Sequence, residues 1–89
     1  MEFEWDEEKR QSNLRKHGID FVRAAAIFNG PVLEKVDNRY NYGETRFVAL
    51  GEVEGVVLFV VYTWRGSVCR IVSARRANKR ERQQYYKSI

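Results

Sequence analysis

Hydrophobic and polar positions alternate over the opening "EFEWD", the two-residue period of a strand, and the alternation stops at Asp6. Asp6 is a good helix N-cap, and Glu7 and Glu8 follow in the first turn, where the helix dipole favours anions. The predicted helix ends with Arg15, Lys16 and His17 in its last turn and Gly18 at the left-handed cap position. Leu14 is nearly all it offers a core, so most of its surface must face water or a ligand. A second helix starts at Asp20 and places Phe21, Ala24, Ala25 and Phe28 on one face before Gly30 and Pro31 stop it.

Four strand-like runs follow: Val32 to Asp37, Thr45 to Glu52, Val56 to Trp64 and Val68 to Ala74. Polar "NRYNYG", then "VEG" and "RG", separate them, and such short connections imply an antiparallel meander. "VVLFVVYTW" is apolar on both faces and reads as a central strand. Asn78 and Glu81 have capping-box spacing and open a last helix to about Lys87. The order β-α-α-β-β-β-β-α is that of an α+β domain with helices packed against an antiparallel sheet.

Size and composition narrow the class. The 89 residues suffice for one core, so residues 1–89 are read as a single domain. A hydrophobic fraction of 44% with twelve aromatic residues argues against disorder. The one cysteine, Cys69, can form no internal disulfide and reads as a small buried hydrophobe. The longest apolar run is too short to span a bilayer, which leads us to expect a cytoplasmic protein with no membrane partner.

Charge is uneven along the chain. Residues 1–64 carry eight Lys/Arg against eleven Asp/Glu, whereas residues 65–89 carry eight against one. A cationic end on a mildly acidic body suits a phosphate backbone, and it suits an acidic protein partner equally.

Three stretches, "FEWDEEKRQSNLRKHGIDFVRAAAIF", "GETRFVALGEVEGVVLFVVYTWRG" and "RIVSARRANKRERQQYY", together resemble the BrnT family of type II toxin–antitoxin toxins. The resemblance is carried by Trp5, Asp6, Lys9, Asn13, Lys16, His17, Gly18, Ile19 and Phe21, in the pattern W-D-x-x-K…N-x-x-K-H-G-I-x-F. It implies a RelE-like fold and an endoribonuclease that cuts RNA and halts translation. It also implies neutralisation by a BrnA-type antitoxin, in a heterotetramer of two toxins and two antitoxins that reaches operator DNA through the antitoxin. The chain departs from the family pattern between Asp37 and Gly43, where Asn and Tyr stand in place of acids.

Cleaving RNA without a metal needs a base for the 2′-OH, an acid for the 5′-oxygen, and cations for the charge that gathers on phosphorus. One His, one Cys and no compact set of acids argue against a metal site, and no Gly-rich motif calls for a cofactor. His17 is the one side chain of near-neutral intrinsic pKa, and its helix C-terminus suits a proton donor or phosphate contact. The alternative is a purely capping histidine. With Lys16, Arg46, Arg75 and Tyr62, His17 forms the expected catalytic set, while the place of Tyr62 in the central strand also reads as a core ring with its hydroxyl at the rim.

Arg46 and Arg75 sit at strand edges where a guanidinium reaches a phosphate, or else they only pair with Glu44 and Glu81. Lys9, Arg65, Arg70, Arg76, Arg80 and Tyr85 are the expected RNA-binding set, with Tyr86 a further stacking candidate. Simple alternation along Val68 to Ala74 puts Cys69, Ile71 and Ser73 on one face and Val68, Arg70, Val72 and Ala74 on the other. Two competing functions share these residues. One is a non-catalytic basic module that docks an acidic protein or nucleic acid, and the other leaves the first helix polar because a partner covers it.

Overall fold

The computed structural model describes residues 1–89. A short strand β1 (Glu2–Glu4) leads into α1 (Glu7–His17) and α2 (Phe21–Ala25). A 3₁₀ turn over Ala26–Asn29 precedes β2 (Val32–Val36), β3 (Phe47–Val53), β4 (Val56–Arg65) and β5 (Val68–Arg76), and α3 (Lys79–Ser88) closes the chain. The caps are those that local chemistry demands. Asp6 accepts from the Glu8 and Lys9 amides, Gly18 takes φ 71°, and Asn78 and Glu81 form a reciprocal capping box.

The sheet order is β1-β5-β4-β3-β2. Strands β2 to β5 form the expected antiparallel meander, joined by two-residue turns after β3 and β4 and by the longer segment 37–46 after β2, with the apolar β4 between β3 and β5. The hairpin between β3 and β4 turns on Glu54 and Gly55, both at positive φ, as a tight two-residue turn demands. The sheet is nonetheless mixed, a correction to the purely antiparallel expectation. β1 pairs with β5 in parallel, Glu2 opposite Val68 and Glu4 opposite Arg70, because the chain returns to that edge only through the whole meander.

The main core lies between the sheet and the first two helices. Ile19, Phe21, Ala24 and Ile27 pack there on Ala49, Leu58, Val60, Tyr62, Cys69, Ile71 and Ala74. Burial of Cys69 pushes its thiol up to about 11, so it is an inert core group. The fully buried stripe of the second helical segment runs Phe21, Ala24 and Ile27, and the expected Ala25 and Phe28 pack against the same core partly buried. The tightening to 3₁₀ geometry shortens the period to three residues and brings Ile27 inward. Gly51 allows this approach, since a Cβ there would stand 2.6 Å from the Ile27 Cβ.

Helix α1 differs from its expected packing. Leu14 is 41% exposed and Asn13 is buried. The Asn13 amide nitrogen donates to the carbonyls of Ile19 (2.9 Å) and Ala74 (2.8 Å), and its oxygen accepts from the Ala74 amide (3.1 Å). The paired register of β1 with β5 runs from Glu2 opposite Val68 to Glu4 opposite Arg70, and α1 packs beside β5 with Asn13 bonded to Ala74 in the manner of a neighbouring strand.

A register shift also changes the faces of β5. Val61 pairs with Ser73 and Tyr62 with Ile71, so Val72 is an extra residue. Ala74 therefore joins Cys69 and Ile71 in the main core, where simple alternation had separated them. The same bulge sets Arg75 directly opposite Phe59, away from that core.

The second face of the sheet is covered only in part. Helix α3 lays Tyr85 onto Leu50, Val57 and Ala77, with Leu33 and Phe59 at the margin. The rest of that face stays open.

Candidate functional site

The open part of the second sheet face is a groove of about 540 Å³ whose walls include the start of the 37–43 segment and α3. Its floor includes Val48 and Phe59, and Lys35, Asp37, Arg39, Arg75 and Glu81 line it. It continues along α3 past Leu50, Asn78, Arg80 and Gln84.

Two guanidinium groups share one aromatic ring. The Arg75 carbon Cζ lies 3.9 Å from the Phe59 ring centroid and that of Arg39 lies 5.6 Å from it. Each arginine is held from behind by its own carboxylate. Arg75 makes a two-pronged pair with Glu81, Nη1 to Oε1 at 2.8 Å and Nη2 to Oε2 at 2.9 Å. Glu81 is itself fixed, because its Oε1 also accepts from the Asn78 amide in the capping box. The helix start thus orients a groove cation.

Asp37 does the same for Arg39. Its carboxylate is buried and accepts from the Arg39 amide (3.2 Å), Arg39 Nε (2.8 Å), Arg39 Nη2 (2.9 Å) and the Tyr42 hydroxyl (3.0 Å). The Asp37 amide extends the strand ladder by donating to the Arg46 carbonyl. Tyr42 in turn lies under Arg46, whose Cζ is 4.1 Å from the ring centroid.

These contacts set the ionisation of the site. The Arg39 hydrogen bonds hold the Asp37 carboxyl down at about 2, and those of Arg75 lower Glu81 below its usual range. Burial, followed by the bond to Asp37, raises the Tyr42 hydroxyl. Both carboxylates are therefore ionised at neutral pH and engaged by arginine. They hold cations in place and are poor proton acceptors.

A pH dependence follows with a definite sign. A carboxyl whose pKa is lower folded than unfolded contributes stability above its unfolded value, 3.8 for Asp37, and loses it as pH falls toward about 2. The urea midpoint is expected to drop between about pH 4 and pH 2, and Asp37→Asn should make that drop shallower. An equally steep drop in the variant would show that Asp37 has no such role.

The expected cationic site residues do not gather in one place. Arg75 lines the groove, as does Arg80 where the groove continues along α3. Arg46 and Arg65 meet at Glu44, 3.1 Å and 3.8 Å from its carboxylate, beside the Tyr42 ring. Arg70 is tied to Glu4 where β1 meets β5, and Arg76, opposite Leu58 in the register, is exposed. Lys9, Lys16 and His17 are exposed on α1, take part in no ion pair, and do not line the groove.

Two aromatic candidates are turned inward. Tyr62 is fully buried among Phe28, Phe47 and Trp64, and its hydroxyl, expected at the rim, is buried without a partner. Its place in β4 sends it to the main core, the face away from the groove. Tyr85 is also buried and donates its hydroxyl to the Pro31 carbonyl at 2.8 Å, which anchors α3 instead of leaving a ring for RNA. Tyr86 is half exposed, with its hydroxyl on Glu52.

Arg39 and Asp37 escaped the sequence reading, although their spacing of two at the end of a strand puts both on one side. Phe59 was indistinguishable from a core position in an apolar run. No three His, Cys, Asp or Glu side chains are grouped so as to hold a metal ion, and no helix is long and apolar enough to cross a membrane.

No curated protein matches the chain. The family described as "Ribonuclease toxin, BrnT, of type II toxin-antitoxin system" matches residues 5–81, a span that includes Arg39, Phe59, Arg75 and Glu81. A crystal structure of the Brucella abortus ribonuclease toxin BrnT is similar with a TM-score of 0.68 and 33% identity, over 89% of this chain and 99% of that one. On the strength of the match along most of its length, the chain belongs to the BrnT family of ribonuclease toxins of type II toxin–antitoxin systems.

Proposed function

We propose that the groove is the ribonuclease site, and that it cleaves single-stranded RNA by stabilising charge on phosphorus without a metal ion. The observation that carries this reading is the pair of guanidinium groups over Phe59, each oriented by an ionised carboxylate. A backbone phosphate between Arg39 and Arg75 places its non-bridging oxygens against fixed donors. The 2′-oxygen then bonds to phosphorus, the bond to the 5′-oxygen breaks, and one proton passes from the 2′-oxygen to the 5′-oxygen. Charge rises on the non-bridging oxygens as this happens, and preorganised cations lower that barrier most. Asp37 and Glu81 are engaged by arginine and held ionised, so electrostatic stabilisation is the main contribution of these residues.

The outer cations extend the binding surface. Arg46, Arg65 and Arg80 receive the RNA backbone around the groove, and Lys9, Lys16, His17, Arg70 and Arg76 attract it at longer range. His17, at the end of α1 and outside the groove, is thereby an RNA contact at the flank. On this reading the toxin, RelE-like in fold and cytoplasmic, halts translation by cutting RNA. A BrnA-type antitoxin neutralises it in a two-plus-two heterotetramer, which reaches operator DNA only through the antitoxin.

The test is cleavage of a defined single-stranded RNA by purified antitoxin-free protein in excess EDTA. The expected result is cutting that leaves 2′,3′-cyclic phosphate ends. RNA that is bound tightly and left intact, with or without added Mg²⁺, would favour the non-catalytic binding module.

A further inference from the structure

We propose that Tyr40 is a nucleobase-stacking residue, which holds an unpaired base beside the phosphate in the groove and so sets where the RNA is cut. The inference rests on the ribonuclease reading of that groove and deepens it. Tyr42 and Tyr40 form an edge-on pair, with ring centroids 5.8 Å apart, in the segment that joins β2 to β3.

Their situations differ. Tyr42 is fully occupied: Arg46 covers its face, Asp37 takes its hydroxyl, and Tyr40 lies against its ring. Tyr40 is 72% exposed, and no hydrogen bond engages its hydroxyl. It is the most exposed aromatic ring of the chain, since Trp64 is 40% exposed against Tyr62, and Tyr86 is 52% exposed and tied to Glu52.

The segment beneath Tyr40 is braced. Asp37 bonds both the backbone and the side chain of Arg39, the residue just before Tyr40, and it also anchors Tyr42 just after. An exposed ring on a braced turn loses little freedom when a flat ligand stacks on it. Its neighbour Arg39 already faces the groove. Tyr40 stands outside the lining of the groove, next in sequence to Arg39, so a strand whose phosphate lies between Arg39 and Arg75 would meet Tyr40 with a base as it leaves the groove, and aromatic faces accept unpaired bases readily. Because stacking needs the ring and not the hydroxyl, Phe or Trp should serve there.

The experiment uses a 2′-O-methyl RNA oligonucleotide, which cannot be cut, labelled with 2-aminopurine at successive positions. Wild-type protein is expected to quench the fluorophore at one position. Tyr40→Ala should abolish that quenching and weaken binding roughly 5- to 100-fold, while Tyr40→Phe and Tyr40→Trp retain both. On cleavable RNA, Tyr40→Ala should raise KM and shift the cut sites with kcat little changed.

Unchanged quenching and cut sites in Tyr40→Ala, with wild-type protein cutting RNA normally, would overturn this proposal alone. Unchanged quenching together with weakened binding of a protein partner would also overturn it, by making the ring a protein contact. Wild-type protein that neither binds nor cuts RNA would overturn both this proposal and the ribonuclease reading.

Discussion

Arg75→Ala is expected to lower RNA cleavage by about 10²- to 10³-fold, the usual loss when one preorganised transition-state donor is removed. Arg75 is both the cation nearest Phe59 and the one with the more rigid support, because Glu81 is fixed by the start of α3. Arg75→Lys should recover only part of the activity. It keeps the charge but cannot bond Glu81 and a phosphate through a planar fork. The loss should fall on kcat, since the non-bridging oxygens carry more charge in the transition state than in the bound substrate. Helix α3 retains its Asn78–Glu81 capping box in either variant, so circular dichroism and melting should change little. Full cleavage by a folded Arg75→Ala protein would remove this arginine from the site.

The largest expected effect on stability belongs to Asn13. Truncation in Asn13→Ala leaves the Ala74 amide and the Ala74 and Ile19 carbonyls without the partners that the side chain now supplies. Unsatisfied buried backbone groups cost about 1–3 kcal/mol each, so the three together put the expected loss at no less than about 3 kcal/mol. That is a large share of the stability of a domain this small. Asn13→Asp separates shape from hydrogen bonding, since it keeps an acceptor for the Ala74 amide but sets an oxygen against the two carbonyls. Both variants should show lower urea midpoints, and a midpoint equal to wild type in both would mean that α1 does not depend on this bond.

Asn13 also marks how far the sequence could be read. Its position among the residues carrying the family resemblance was visible, but nothing in its spacing said that an amide would take the place of a neighbouring strand. That role exists only once β1, α1 and β5 are side by side, a contact between residues 61 apart in the chain. Local chemistry was legible for the opposite reason. Asp6, Gly18, Asn78 and Glu81 act within a turn of their own position, and the helix ends they specify are the observed ones.

The candidate site divides along the same line. Arg75 was accessible to sequence reasoning as an arginine at a strand exit with a carboxylate six residues on. Arg39 was not, because its partner Asp37 looked like the end of a strand and the segment after it like a polar connection. Tyr62 shows the same limitation: its core place was readable from the central strand, but not that its hydroxyl would be buried as well. Alternation says that a strand residue faces one side or the other, but only the assembled sheet shows which side has helices over it. The Val72 bulge compounds this, since one extra residue reverses the side to which Arg75 is delivered. His17 posed a choice between capping and chemistry. It closes α1 as the dipole prefers, and it stands outside the groove where the cations converge.

The central claim is that an RNA phosphate lies between Arg39 and Arg75 over Phe59. It is tested most directly by following the arginine Nε–Hε resonances in NMR spectra while a 2′-O-methyl RNA oligonucleotide is added. The account predicts that the Arg39 and Arg75 signals shift first and farthest, with smaller changes at Arg46 and Arg80. Unmoved Arg39 and Arg75 signals, with the large shifts confined to α1 around Lys16 and His17, would contradict it.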